Sequence, residues 1–443
     1  MINKIKFNGS YPKIEESLNL LNRASGLIPA ATQTLAKGPG QYVRGIAPVY
    51  LQSGKGCRVI DVDGNEYIDF TMGVGPLSLG YSYNKVDIAI REQLEKGITF
   101  SLMSPLEVEV AELIHEVIPN AERVRFSKSG ADATSAAVRL ARAFTGKKNI
   151  VCCGYHGWHD WYISVTDRNL GIPEEIKNLT FTFNYNDIDS VLNAIDSDTA
   201  AVILEPVTFD EPREGFLHKL RDICTEKGII LIFDEMWTGF RMALGGAQEY
   251  FDIKADIAVF SKACANGMPI SIITGKAEIM DLLEKEVFFF TTFGGEALSL
   301  AATKATITEI RDKNVTAYLN NYGKIIKDGF NNIADELGMY YVRAKGYNFR
   351  SMVTFDAEAG NPLLMKSLLQ QELIACGILW AGFHNMSFSH TKGDIEFTLS
   401  AYKNCLQILK KAVSENNISD YLKGEPVEAV FRKVGSFNTK PKN

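Results

Sequence analysis

The sequence has no CxxC pair, no basic run and no apolar stretch of membrane length, and each absence removes a class of function. Its seven cysteines (Cys57, Cys152, Cys153, Cys224, Cys264, Cys376 and Cys405) are odd in number and scattered through 443 residues. That pattern argues against a disulfide framework or a zinc knuckle, and the thiols read as buried groups in a reducing compartment. Lysine and arginine number 47 against 53 acidic residues, a net charge of −6 with both signs interspersed. Neither nucleic acid nor a membrane surface is therefore expected as a partner, and small-molecule chemistry is favoured. The opening stretch MINKIKFNGSYPKIEESLNLL lacks the apolar core of a secretory signal, so the expected location is cytoplasmic. His156 and His159, with only Asp160 beside them, make a poor zinc ligand set. No metal is expected.

What is present is enough apolar content, 46% of residues, for one large core with smaller lobes. Residues 1–75 read as an N-terminal lobe, with a short amphipathic helix near 14–24 and a Gly/Pro-punctuated loop, IPAATQTLAKGPGQYVRGIAP. Between Val49 and Phe70, alternating residues broken by turns at Ser53-Gly54 and Asp63-Gly64 predict an antiparallel meander. Residues 76–314 read as the large domain. It opens with Ser104-Pro105-Leu106-Glu107, an N-cap, a proline at the first helical position and a capping-box glutamate. Residues 315–443 read as an α+β C-terminal lobe, with strands at Tyr340–Arg343 and Ser351–Phe355 and a polar tail from Ser414 expected to wrap the surface or fray.

Within the large domain, apolar runs at Val124–Phe126, Ile150–Cys153, Ala200–Leu204, Ile229–Phe233, Ile257–Phe260 and Ile270–Ile273 are mostly separated by helical stretches such as Ala131–Phe144 and Leu217–Lys227. This alternation predicts an α/β fold with a mainly parallel sheet covered on both faces. Polar residues follow the runs: Ser129-Gly130, Tyr155-His156, Glu205, Asp234 and Lys262. In an open parallel sheet the ligand crevice lies beyond the carboxyl ends of the strands, so Asp234 and Lys262 would face one pocket. A pyridoxal phosphate (PLP) enzyme requires that pairing. The lysine amine forms a Schiff base with the cofactor aldehyde, and the carboxylate keeps the pyridine nitrogen protonated. Alone, the two residues are more readily a helix-capping aspartate and a surface lysine, since strand ends are commonly polar. The Ser129-Gly130-Ala131 turn opening an alanine-rich helix can cradle a phosphate, although such turns are common. Tyr155 can stack on a planar ring with His156 as polar partner, or pack in a core.

Together these motifs identify a family. From roughly Leu18 to Ala412 the chain resembles the PLP-dependent class III aminotransferases of fold type I. Within them it is similar to glutamate-1-semialdehyde aminomutase and to related enzymes of bacterial polysaccharide gene clusters. The resemblance rests on DVDGNEYIDF, the SGxxAT turn, YHGW, EP, DEMWTGFR, SKxxANGMPI and TTFGGEALSLAA, all in order. It implies that Lys262 is the Schiff-base lysine, that Asp234 partners the pyridine nitrogen, and that Tyr155 stacks on the ring. Met236 stands where the family usually has valine on the opposite face. Gly130 and Ala131 match the phosphate turn, Glu205 a glutamate near the cofactor, and Arg241 a structural arginine. Thr292 matches a threonine that reaches the neighbouring subunit's phosphate, implying a homodimer with shared active sites.

Several departures from the family shape the expected activity. Ala131 replaces a hydroxyl residue found in many relatives. The stretch ATQTLAKGPGQ lacks the aminomutase's carboxylate-binding arginine and offers only Lys37, and the gating loop is shortened to TDRNLGIPEEI. Both losses favour intermolecular transamination over intramolecular exchange. No arginine lies between Leu379 and Leu409, where amino-acid-specific relatives place one, so an acceptor lacking an α-carboxylate is expected. The expected reaction is ping-pong transfer from an amino donor, L-glutamate, to a carbonyl acceptor of sugar-like character. Trp158, Trp161 and Trp237, with His156, are candidate contacts for it or equally candidates for packing. The aminomutase is the second reading and a noncatalytic PLP-binding protein the third.

Overall fold

The computed structural model describes residues 10–429. These form two compact units, one made of the residues up to 83 together with those from 317 onward, the other of residues 84–316. The first unit opens with helix α1, Glu15–Ser25, where the amphipathic stretch was expected. Strands β1 (Leu51–Lys55), β2 (Arg58–Asp61) and β3 (Glu66–Asp69) follow as an antiparallel meander. Asp61 organises the β2–β3 turn: its Oδ1 accepts from the backbone N–H groups of Asp63 at 3.0 Å and Asn65 at 2.8 Å.

The second unit begins with α2 (Asn84–Leu94) and α3 (Pro105–Val117), and the Ser104/Glu107 capping box forms as its spacing requires. Its seven-stranded sheet contains β4 (Arg123–Ser127), β5 (Asn149–Cys153), β6 (Thr180–Thr182), β7 (Thr199–Leu204), β8 (Ile230–Asp234), β9 (Ile257–Phe260) and β10 (Ser271–Gly275), in the order β4-β10-β9-β8-β7-β5-β6. Strands β6, β5, β7, β8 and β9 pair in parallel, and only β10 runs against its neighbours. Every residue of β7 to β10 is buried, which explains why these strands read as unbroken apolar runs and not as alternating ones. Helix α4, Gly130–Thr145, packs across β7 to β10. Its buried Ala133, Ala136, Ala137 and Ala141 let the backbone lie close to the sheet. The edge strand β6 was not anticipated, because three residues reading Thr-Phe-Thr carry no apolar run.

The chain then returns to the first unit. Strands β11 (Val342–Tyr347), β12 (Arg350–Phe355) and β14 (Phe383–Asn385) form an antiparallel sheet. β11 starts and ends later than Tyr340–Arg343 because it runs into a tight hairpin in which Tyr347 pairs with Arg350. Strand β13, Ile378–Leu379, pairs in parallel with β3, so a segment read as C-terminal lobe extends the N-terminal meander to four strands. A helix from Lys392 to Ser414 ends the regular structure, apart from one turn at Ile418–Tyr421. The last part of the polar tail, residues 430–443, lies outside the described residues.

Candidate active site

The parallel pairing places the carboxyl ends of β4, β5, β7, β8 and β9 along one edge of the sheet. Asp234 is the last residue of β8 and is only 2% exposed. Its Oδ1 accepts from the Met236 backbone N–H at 3.1 Å, and its Oδ2 lies 2.8 Å from Nδ1 of the buried His156. A carboxylate taken out of water needs such partners, because an unpaired buried charge is strongly unfavourable. The other imidazole nitrogen of His156 is 3.1 Å from the Cys153 carbonyl oxygen at the end of β5. The imidazole therefore ties the ends of two strands together.

The loop after β5 is built on glycine. Gly154 has φ +109, and a Cβ there would lie 2.9 Å from Oε1 of Glu205. That oxygen accepts the Tyr155 N–H at 2.8 Å, which fixes the tyrosine backbone. Burial, reinforced by the negative charges of Asp234 and Glu205, pushes the Tyr155 phenol up. Gly157 has φ +105, and a Cβ there would come within 2.7 Å of Ala131 Cβ. Gly130 is similarly close to Met236, whose Sδ would meet an added Cβ at 3.0 Å.

Two loops, those after β5 and β8, therefore close around the start of α4. Ser129 caps that helix, its Oγ accepting from the Asp132 N–H at 3.2 Å while Asp132 bonds back to the Ser129 N–H at 2.9 Å. The remaining N–H groups of the first turn, those of Gly130 and Ala131, have no intrahelical partner and carry the positive end of the helix dipole.

Lys262 follows β9 after one residue, with its backbone in the left-handed region at φ +46. A lysine is rarely held there, and such strain clusters at functional sites. Ser261 anchors the turn by donating from Oγ to the Ile270 carbonyl at 2.6 Å. The Nζ of Lys262 lies 4.6 Å from the centroid of the Trp237 ring. The Arg241 guanidinium sits over the same ring at 5.3 Å and donates to the Trp237 carbonyl at 3.1 Å. Next to Asp234, burial pushes Glu235 up to about 7. Its oxygens accept from the N–H groups of Ala247 and Gln248 and from the Thr238 hydroxyl, a structural duty.

Residues 129–131, Tyr155, His156, Glu205, Asp234, Met236, Trp237 and Lys262 thus belong to one connected set of strand ends and loops. Trp158 is 69% exposed and packs edge-on against His159. Trp161 is buried and its indole N–H donates to Ser135 Oγ at 3.1 Å. Ser135 Oγ also lies 2.6 Å from His159 Nδ1, a link with no sequence signature. Thr292 lies on an exposed turn and takes no part in these contacts. Sequence reasoning also left Gly154 and Gly157 without a role, although two glycines flanking Tyr-His were a readable sign of a tight loop. Among the described residues no cluster of three or more His, Cys, Asp and Glu could hold a metal ion.

A model of the family described as aminotransferase class-III matches residues 42–413. The chain is 33% identical over 412 residues to 3-aminobutyryl-CoA aminotransferase of Cloacimonas acidaminovorans, covering 90% of this chain and 98% of that protein. It is 33% identical over 432 residues to glutamate-1-semialdehyde 2,1-aminomutase of Sulfurihydrogenibium azorense, covering 88% and 100%. Among solved structures it is similar to the FumI protein of Sphingopyxis sp. MTA144 in its PLP internal aldimine form, with a TM-score of 0.84, 26% identity and coverage of 93% and 98%. The fold is that of the PLP-dependent transferases of fold type I, and pyridoxal phosphate is the cofactor of this family. With a family model spanning most of its length and relatives a third identical from end to end, the chain belongs to the class III aminotransferases.

Proposed function

We propose that this protein transfers an amino group from an amino donor, L-glutamate, to a carbonyl acceptor by a ping-pong reaction at Lys262. The observation that carries this reading is the pairing of a buried carboxylate on β8 with a lysine at a strained turn after the adjacent β9. The donor set suits a phosphorylated pyridine aldehyde. Asp234 is acceptor-only when ionised, as a ring N–H requires. The glycine-lined start of α4 leaves N–H groups for a phosphate, with the Gly157–Ala131 approach excluding anything bulky. In this reading Tyr155 and Met236 would be the ring's aromatic and apolar contacts, with Glu205 holding the Tyr155 backbone.

When bound, the cofactor supplies an aldehyde that captures amines and a ring that accepts the electron pair released at the substrate carbon. The protein's own groups do the rest. Lys262 would take the proton from the nitrogen-bearing carbon of the donor and return it to the carbon on the other side of that nitrogen, acting as base and then acid. Asp234 would accept the hydrogen of the ring nitrogen and keep that nitrogen protonated, with His156 and the Met236 N–H holding the carboxylate in place.

Similarity to a 3-aminobutyryl-CoA aminotransferase supports an acceptor whose carbonyl is not next to a carboxylate. A sugar-like acceptor would meet the exposed Trp158, with Trp237 beside Lys262 as a second candidate; His156 and Trp161 are engaged internally. In this reading two copies share their sites through Thr292, and the enzyme works in the cytoplasm. No helix among the described residues is long and apolar enough to cross a membrane.

The test is an absorbance titration of the purified protein and of Lys262→Ala, first with L-glutamate and then with glutamate-1-semialdehyde. Bleaching of the cofactor band by glutamate in the wild type alone, with release of one equivalent of keto acid and no 5-aminolevulinate from the semialdehyde, is expected. Efficient 5-aminolevulinate formation would replace the proposal with the aminomutase, the reading favoured by the second relative. No spectral response to any donor would leave a PLP-binding protein.

A further inference from the structure

We propose that Trp237 is a positioning residue that holds the protonated amine of Lys262 on its ring face, so that the lysine is kept in place whenever its nitrogen is not bonded to the cofactor. The inference rests on the reading of Lys262 as the cofactor lysine. A lysine side chain has four flexible methylenes, and a proton-transferring amine works only when held within reach of the reacting atoms. The Nζ of Lys262 is 4.6 Å from the Trp237 centroid, inside the range of attraction between an ammonium and an indole face.

The ring itself is fixed. Arg241, 3% exposed, lies over it at 5.3 Å and grips the turn by donating to the Trp237 carbonyl at 3.1 Å and the Met236 carbonyl at 3.4 Å. The same turn is tied down one residue earlier by Glu235 at the start of the helix Gly246–Phe251.

An aromatic face attracts the charged amine and not the neutral one. The ring therefore favours the lysine after it has taken a proton, the state in which it would otherwise be drawn away by water. Other charges surround the lysine turn. Strand β8 and its turn bring Asp234, Glu235 and Arg241; the loops after β5 and β7 bring Tyr155, His156 and Glu205. The helix Ala297–Asp312, packed on the lysine turn, brings the Lys128–Glu296 ion pair at its start. Of these groups Arg241 shares the Trp237 ring, so the contribution of the ring face is read by comparing a variant that keeps a ring with one that does not.

The experiment is trace acetylation of the full-length protein freed of pyridoxal phosphate, across pH 6 to 11, with acetylation at Lys262 and, as a reference, at Lys327 of the other unit quantified by peptide mass spectrometry. In Trp237→Leu the midpoint for Lys262 should fall by about 0.5–1 pH unit, the size of one such contact. Trp237→Phe, which keeps a ring face, should shift it less, and Lys327 should not move. In parallel, borohydride reduction of the holoenzyme fixes the cofactor to its lysine. If the cofactor is recovered on Lys262 but the midpoint is unchanged in both variants, Trp237 has no positioning role. If it is recovered elsewhere, the reading of Lys262 fails and the inference falls with it.

Discussion

A single hydrogen bond decides how Asp234 behaves. The carboxylate is buried at the end of β8, and one of its two oxygens depends on His156 Nδ1 at 2.8 Å. A hydrogen bond to a charged group contributes about 1.5–3 kcal/mol, and the Met236 N–H cannot serve both oxygens. In His156→Ala the urea midpoint should fall by an amount equivalent to about 1.5–3 kcal/mol, and pyridoxal phosphate should dissociate faster. A variant that melts and retains cofactor like the wild type would show that water replaces the imidazole without loss. Asp234 and Lys262 stood out in the sequence because Asp234 directly follows an apolar run of strand length and Lys262 follows another after a single residue. The Asp234–His156 bond did not. It joins residues 78 positions apart, and a residue's partner across a sheet edge depends on strand order, which apolar runs alone do not reveal.

The start of α4 is open to a ligand because of what the loops after β5 and β8 leave out. The sequence showed a glycine turn before an alanine-rich helix. It did not show that Gly157, after β5, presses against Ala131 so closely that a methyl group would sit 2.7 Å from the Ala131 Cβ. The departure from the family at Ala131 acquires a physical setting here, since this position has Gly157 against it. Gly157→Ala should suffer twice, once from a left-handed backbone at φ +105 and once from the collision.

Gly171 is a fair control. It has φ +92 with nothing within 4 Å of an added Cβ, so Gly171→Ala bears the backbone strain alone, about 1 kcal/mol. Gly157→Ala should lose about 2–3 kcal/mol or more in urea unfolding and should bind pyridoxal phosphate more weakly, as Gly171→Ala should not. Equal losses in the two variants would mean that the loop after β5 can move away from α4 at little cost. At this scale the six apolar runs all became strands of one sheet, whereas β6 and the late start of β11 escaped notice because neither has a run or a turn that composition marks.

On the scale of the whole molecule, the turn that carries Thr292 has more exposed aromatic surface than a free protein usually shows. Phe288 is 74% exposed, Phe290 54% and Phe293 58%, with the Phe288 and Phe290 rings 5.2 Å apart and Arg125 seated 4.5 Å over Phe290. Clustered exposed rings of this kind mark interaction surfaces, and a second copy of the chain is the occupant that the Thr292 resemblance implies. Such an interface is self-complementary, so each copy would lend its Thr292 to the other's Lys262.

Mixing two damaged chains tests this. Lys262→Ala has no reacting amine and Thr292→Val lacks the hydroxyl, so each alone should be inactive or strongly impaired. In a mixed dimer, one site combines the Lys262 of the Thr292→Val chain with the intact Thr292 of the Lys262→Ala chain, and is whole. After unfolding and refolding the two together, activity should reappear at up to about a quarter of the wild-type value, since half of the dimers are mixed and each has one whole site. Sedimentation should give twice the 49.1 kDa chain mass. No recovery on mixing, with mixed dimers present, would place Thr292 in the site of its own chain. A wild-type protein that sediments at 49.1 kDa with its cofactor bound would remove the shared site altogether.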